Sequence, residues 1–228
     1  MNEKIFKTIL WKENIIFLKS CFPVCVLYYA IELYFYINNQ KNNLSLNDGF
    51  LATQIFSFVA INIAVIGCLI SSLNMGIDIK AKIMPILLGM TKKKEIIWLA
   101  KVVYSFIVGL ISSLVGSGLI IYSYTTQRTI EGNIACYFEY ILAGSLVGLA
   151  FVTINMLFTW IIKYEVIILI ISLILPVALI MLLIFLIDLI QKISLTIIGI
   201  LALVSLLFVV GSFFIIVKLP NSLFVEKV

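Results

Sequence analysis

Six apolar runs, each about long enough to cross a lipid bilayer and separated by short polar breaks, constrain this chain more than any motif in it. They fall at about 20–37, 50–73, 98–122, 135–162, 166–187 and 194–217. A membrane helix needs roughly 20 apolar residues to cross about 30 Å of hydrocarbon. Inside lipid every backbone N–H and C=O must find an internal partner, and within one segment only the α-helix provides that. The predicted fold is an all-α membrane protein with six transmembrane helices. Composition agrees: 63% of the 228 residues are hydrophobic, 12% are charged, and the mean hydropathy is +1.21. A water-facing domain carries about twice that share of charge.

Several function classes fall away on residue content. The net charge of +5 could suggest nucleic acid, but the lysines stand at the edges of apolar runs and form no continuous basic face, so no nucleic-acid partner is expected. There is no histidine, and the four cysteines (Cys21, Cys25, Cys68 and Cys136) lack the spacing of a metal set. No HExxH or GxSxG signature and no paired membrane carboxylates occur, so no catalytic or metal-ligating residues are assigned. The first apolar run lacks an A-x-A-like cleavage site and is expected to be retained as a span.

Lysine placement sets the expected orientation. With the N-terminus in the cytoplasm, only Lys41, Arg128 and Lys192 of the 16 basic residues fall outside. That bias predicts both termini inside. Residues 1–17 place Ile5, Ile9, Lys12 and Ile16 on one row, with Phe6, Leu10, Glu13 and Phe17 on the next. This pattern predicts an amphipathic helix lying in the membrane interface, with Trp11 at headgroup depth.

Polar and small residues within the runs supply further candidates. Glu32 is the one carboxylate well inside an apolar run, and Asn62 and Asn155 are the inward-facing amides expected to line a path or meet a partner. Ala60, Ala64, Cys68 and Ser72 recur every fourth residue in the second run. Gly109 and Ser113 do so in the third, and Gly144 and Gly148 in the fourth. Small residues at this spacing let helix backbones approach closely in lipid, so these mark expected packing faces.

The longest cytoplasmic connection, 74–97, contains Met84 to Lys101, MPILLGMTKKKEIIWLAK. Thr91 is placed to cap a helix starting at Lys92, with Glu95 in its first turn. The stretch from Leu87 to Lys101 resembles the coupling helix of permease subunits of type-2 ABC exporters, with a small residue, a threonine, basic residues and an apolar run ending in lysine. The interfacial helix, the six spans and the internal termini resemble that family as well. The compact size, with no room for a re-entrant hairpin between the last two spans, resembles the peptide-antibiotic export and lantibiotic-immunity branch.

The resemblance implies a bacterial plasma-membrane permease that moves an amphiphile such as an antimicrobial peptide. It implies coupling through Leu87, Leu88, Gly89, Met90, Thr91, Lys92, Lys93, Lys94 and Glu95 to two ATPase subunits. The chain has no G-x-x-x-x-G-K-[ST], so ATP and Mg would sit on those partners. A second permease, identical or related, would complete the pathway within membrane lipid. Export of lipid or another hydrophobic compound, or ATP-independent secondary transport, are the alternatives on the same residues.

Overall fold

The computed structural model describes residues 2–42, 48–91, 93–127, 134–162 and 195–219, together with positions 167, 170, 171, 174, 178 and 182. The expected fifth span, 166–187, lies outside the described residues apart from those six positions, which are helical. No strand occurs among the described residues. Five helical stretches among them are long and apolar enough to cross a membrane.

Helix α1 (Asn2–Ile16) runs through a π-turn at Phe17–Cys21 into α2 (Phe22–Asn42). The wide turn has a local cause. Pro23 has no N–H for the Lys19 carbonyl and its ring crowds that position, and the Phe22 N–H bonds to Phe17 O instead. The helical path from Asn2 to Asn42 is therefore unbroken, and at 1.5 Å per residue it is roughly 60 Å long, about twice the hydrocarbon thickness. The N-terminal helix expected to lie in the interface is thus joined to α2, and it packs on α4 (Ile83–Thr91) and α5 (Lys94–Gln127). Ile9 is buried, whereas Trp11 stays exposed.

Helix α3 (Asp48–Lys80) is the central element. It packs most extensively on α6 (Ile134–Ile161) and then on α5 (Lys94–Gln127). Small residues make these approaches possible. A methyl group at Gly148 would lie 2.6 Å from the Ile63 side chain, and one at Gly144 would lie 2.8 Å from Phe56 O. At Gly109 it would lie 3.1 Å from Ile63 Cα. The row Ala60, Ala64, Cys68 and Ser72 is buried, and Cys68 Sγ lies 4.0 Å from Phe151 O of α6. Ser113 is buried on α5 and donates to Gly109 O of its own helix. All of these small residues are used inside this chain.

Helix α7 (Leu195–Lys218) completes the described bundle and packs chiefly on α6. Ser205 Oγ donates to Leu146 O at 2.7 Å, which ties the two helices at mid-length. Much of α7 is exposed and apolar, including Leu203, Leu206 and Leu207. Residues of that kind suit a lipid solvent, where exposed apolar surface carries no penalty.

Candidate functional site

The elbow is shorter and more helical than 74–97. Helix α3 continues to Lys80, a two-residue turn follows at Ala81–Lys82, and α4 occupies Ile83–Thr91. Lys82 takes φ 53, a left-handed conformation that crowds a Cβ, and it marks the break between α3 and α4. Thr91 does not precede a helix beginning at Lys92, as its cap chemistry suggests. It is the last residue of α4, where its hydroxyl donates to Leu87 O at 3.0 Å and accepts from Lys93 N–H at 3.3 Å. Back-bonding to the preceding turn competes with capping the next one, and α5 starts at Lys94.

Helix α4 has two unlike faces. Met84, Leu87 and Thr91 are buried, the first two in a cluster with Ile9, Trp98 and Trp160. Ile86, Gly89 and Met90 face outward, with Ile86 61% and Met90 53% exposed. Nothing within 4 Å would obstruct a Cβ at Gly89. Leu88 is half-buried against the same cluster, Lys93 is exposed, and Glu95 is half-buried. Lys94 is buried, its ammonium donating to the Leu219 carbonyl beyond α7. Lys92 lies outside the described residues.

Next to the elbow is a buried ion network whose members are far apart in the sequence. Lys101 of α5 is 1% exposed, and its Nζ donates to Glu13 Oε1 at 2.8 Å and to Asp78 Oδ2 at 2.6 Å. Lys12 pairs with Glu13 at 3.1 Å and also with Asp78. Asn74 Nδ2 donates to Glu13 Oε2 at 2.6 Å, and the Cys21 thiol donates to Asn74 Oδ1 at 3.6 Å. Beside it Tyr104 Oη donates to Asn14 Oδ1 at 3.1 Å. Two lysines face two carboxylates, so the group is formally neutral, and a buried charge set of this kind persists only when each member is paired.

The network joins three segments. Glu13 and Lys12 come from α1, Asn74 and Asp78 from the end of α3 just before the elbow, and Lys101 from α5 just after it. None of its members lies on α4, which joins the bundle through Met84 and Leu87, so the network ties α1 to the two helices that flank the elbow. One sequence signal points here. Glu13 interrupts the otherwise apolar row Phe6, Leu10 and Phe17, which is an expensive place for a carboxylate without a partner. Its distant partners, Asn74 and Lys101, lie 61 and 88 positions away in sequence, and no local pattern links them.

The other sequence candidates are distributed through the bundle. Asn155 Nδ2 donates to Ser71 Oγ at 2.6 Å and approaches Cys68 O at 3.3 Å and Ser72 Oγ at 3.4 Å, so this amide binds α6 to α3. Asn62 is fully buried, and neither of its amide atoms has a hydrogen-bond partner among the described residues. Glu32 is buried on α2 beside Tyr28. None of the three touches the ion network. No group of three or more potential metal ligands occurs among the described residues.

No family model, curated protein or solved structure matches this chain.

Proposed function

We propose that this chain is the membrane-spanning permease subunit of an ATP-driven exporter of the type-2 ABC class. It moves an amphiphile, such as an antimicrobial peptide, out of the membrane or cell of a bacterium. The observation that carries this reading is the build of the elbow. A nine-residue helix between two long apolar helices buries one face in its own bundle and presents Ile86, Gly89 and Met90 outward. An exposed apolar tip flanked by Lys82 and Lys93 suits insertion into a groove on a partner. The ion network beside it supports a mechanical reading, because the helices on either side of α4 are tied to α1 by paired charges rather than joined loosely.

In this reading closure of two ATPase subunits around ATP and Mg moves α4. Helices α1, α3 and α5 follow as a unit, and a second permease, identical or related, provides the other half of the path. The lysine bias puts the elbow and both termini in the cytoplasm.

The test is co-purification from the native membrane, with ATPase activity measured in the isolated complex. Ile86→Glu with Met90→Glu changes only exposed positions. It is expected to leave the protein inserted and folded, yet lose both the ATPase and substrate-stimulated hydrolysis. Transport that persists in ATP-depleted vesicles under an ion gradient would refute the proposal and favour secondary transport.

A further inference from the structure

Lys94 is the first residue of α5, which is an unfavourable position for a lysine. The first turn of a helix carries unpaired N–H groups and partial positive charge, so a cation there is repelled, while an anion such as Glu95 is favoured. Burial costs more still: Lys94 is 8% exposed, whereas its neighbour Lys93 is exposed. Membrane orientation requires a charge at this level but not a buried one.

The compensation comes from another helix. The Lys94 ammonium donates to Leu219 O, where α7 ends. Leu219 N–H still bonds to Ile215 O at 3.0 Å, so this carbonyl continues the last turn, where helix carbonyls lack partners of their own and the partial charge is negative. A lysine at the start of α5 thus caps the end of α7. Two apolar contacts reinforce the cap. Trp98, one turn along α5 from Lys94, is fully buried, and its ring centroid lies 6.4 Å from that of Phe213 of α7. Ile216 of α7 is fully buried in the cluster that holds Trp98 together with Met84 and Leu87 of α4. Elsewhere Ser205 ties α7 to Leu146 O of α6, and Leu203, Leu207 and Phe214 are exposed.

The ion network of Lys12, Glu13, Asp78 and Lys101 ties α1, α3 and α5, and it includes no residue of α7. Only Lys92 and Lys93 separate the end of α4 from Lys94, so the cap sits at the exit of the elbow. We infer that Lys94 is a positioning residue that fastens the end of α7 to the elbow, so that α7 moves with α5 when a partner displaces it. A lysine suits the task because its charge meets the dipole of α7 while its stem packs among apolar side chains. The source of the motion rests on the permease reading, whereas the tie between Lys94 and α7 does not.

The test has two arms. In the first, the full-length chain in phosphatidylcholine nanodiscs, without any ATPase, is followed by hydrogen exchange of the segment from Phe213 to Leu219. Lys94→Met keeps the apolar stem and removes the charge, and it should speed exchange there about tenfold, the effect of losing one charge-assisted hydrogen bond. Lys94→Gln keeps a donor without the charge and should speed it about threefold, which keeps the test decisive if the methionine variant aggregates. Lys94→Arg should preserve the exchange of the unaltered protein. The second arm uses the complex purified from native membranes, with an environment-sensitive fluorophore on Val217→Cys, 44% exposed in the native chain, and the four native cysteines changed to alanine. In complexes that contain the ATPase, ATP with vanadate should shift the emission when Lys94 or Lys94→Arg is present and leave it unmoved in Lys94→Met. Unchanged exchange in Lys94→Met and Lys94→Gln would overturn the tie and leave the elbow's ATPase coupling standing. An equal emission shift in Lys94→Met, or no shift in the unaltered complex, would overturn the transmission to α7. Failure of any ATPase to co-purify would sink the permease reading and the transmission with it, while the exchange arm still decides the tie.

Discussion

Removing Lys101 is the sharpest perturbation of the charge-locked joint. The Lys101→Met side chain keeps most of the volume and removes the ammonium, which leaves Glu13 and Asp78 facing each other across a buried space. Lys101 contacts these carboxylates at 2.8 and 2.6 Å. At an effective dielectric near 20 each contact has a gross attraction of roughly 6 kcal/mol, most of which offsets desolvation of the ions. Lys12 remains but is partly exposed, and its charge cannot neutralise two carboxylates. The expected net loss is about 3–5 kcal/mol, the usual cost of breaking a buried pair from one side. Thermal unfolding of the purified protein, followed by size-exclusion chromatography after heating, should show a fall in midpoint of about 6–20 °C for a chain of this size. Adding Glu13→Gln and Asp78→Asn removes the stranded charges and should recover at least half of that loss. A Lys101→Met protein as stable as the unaltered one, or a triple variant no better than the single, would refute the reasoning.

Other positions give independent checks. Gly148→Leu should cost about 1–3 kcal/mol or more because Ile63 already fills the space, whereas Gly89→Ala should raise thermal stability by up to about 1 kcal/mol, since nothing obstructs that Cβ and alanine favours the helix. Asn155→Ala is expected to cost only about 0.5–2 kcal/mol in the same assay, the range found for interhelical hydrogen bonds in membranes. Lys82→Gly should raise stability by up to about 1 kcal/mol by relieving the left-handed turn, and a loss there would contradict the backbone assignment.

Much of the architecture is legible in the sequence because lipid imposes a simple rule on length and polarity. The runs at 50–73 and 98–122 fall within helices, those at 135–162 and 194–217 coincide with α6 (Ile134–Ile161) and α7 (Leu195–Lys218), and the change of character near residue 17 coincides with the π-turn at Phe17–Cys21. The helix ends were less legible. α3 continues to Lys80, since Asp78, polar in sequence, has its charge met by Lys12 and Lys101 and so remains helical and buried. Thr91 shows the same limit at short range, where its hydroxyl bonds backward as readily as forward. At the candidate site, the elbow was visible as a break in hydrophobicity with a turn signal. The joint behind it was not, because ion pairing between α1, α3 and α5 depends on tertiary placement of residues that look like ordinary interfacial charges.

The central claim, that α4 is the contact through which an ATPase drives this bundle, is tested most directly by site-specific photo-crosslinking in native membranes. A photoreactive residue placed at Ile86 or Met90 is predicted to capture a protein that carries a nucleotide-binding motif, in an amount that changes with bound nucleotide. The same residue at Ile111, exposed on the lipid-facing side of α5, should capture lipid and no ATPase. Capture of lipid alone from Ile86 and Met90, or of the same products from all three positions, would contradict the account.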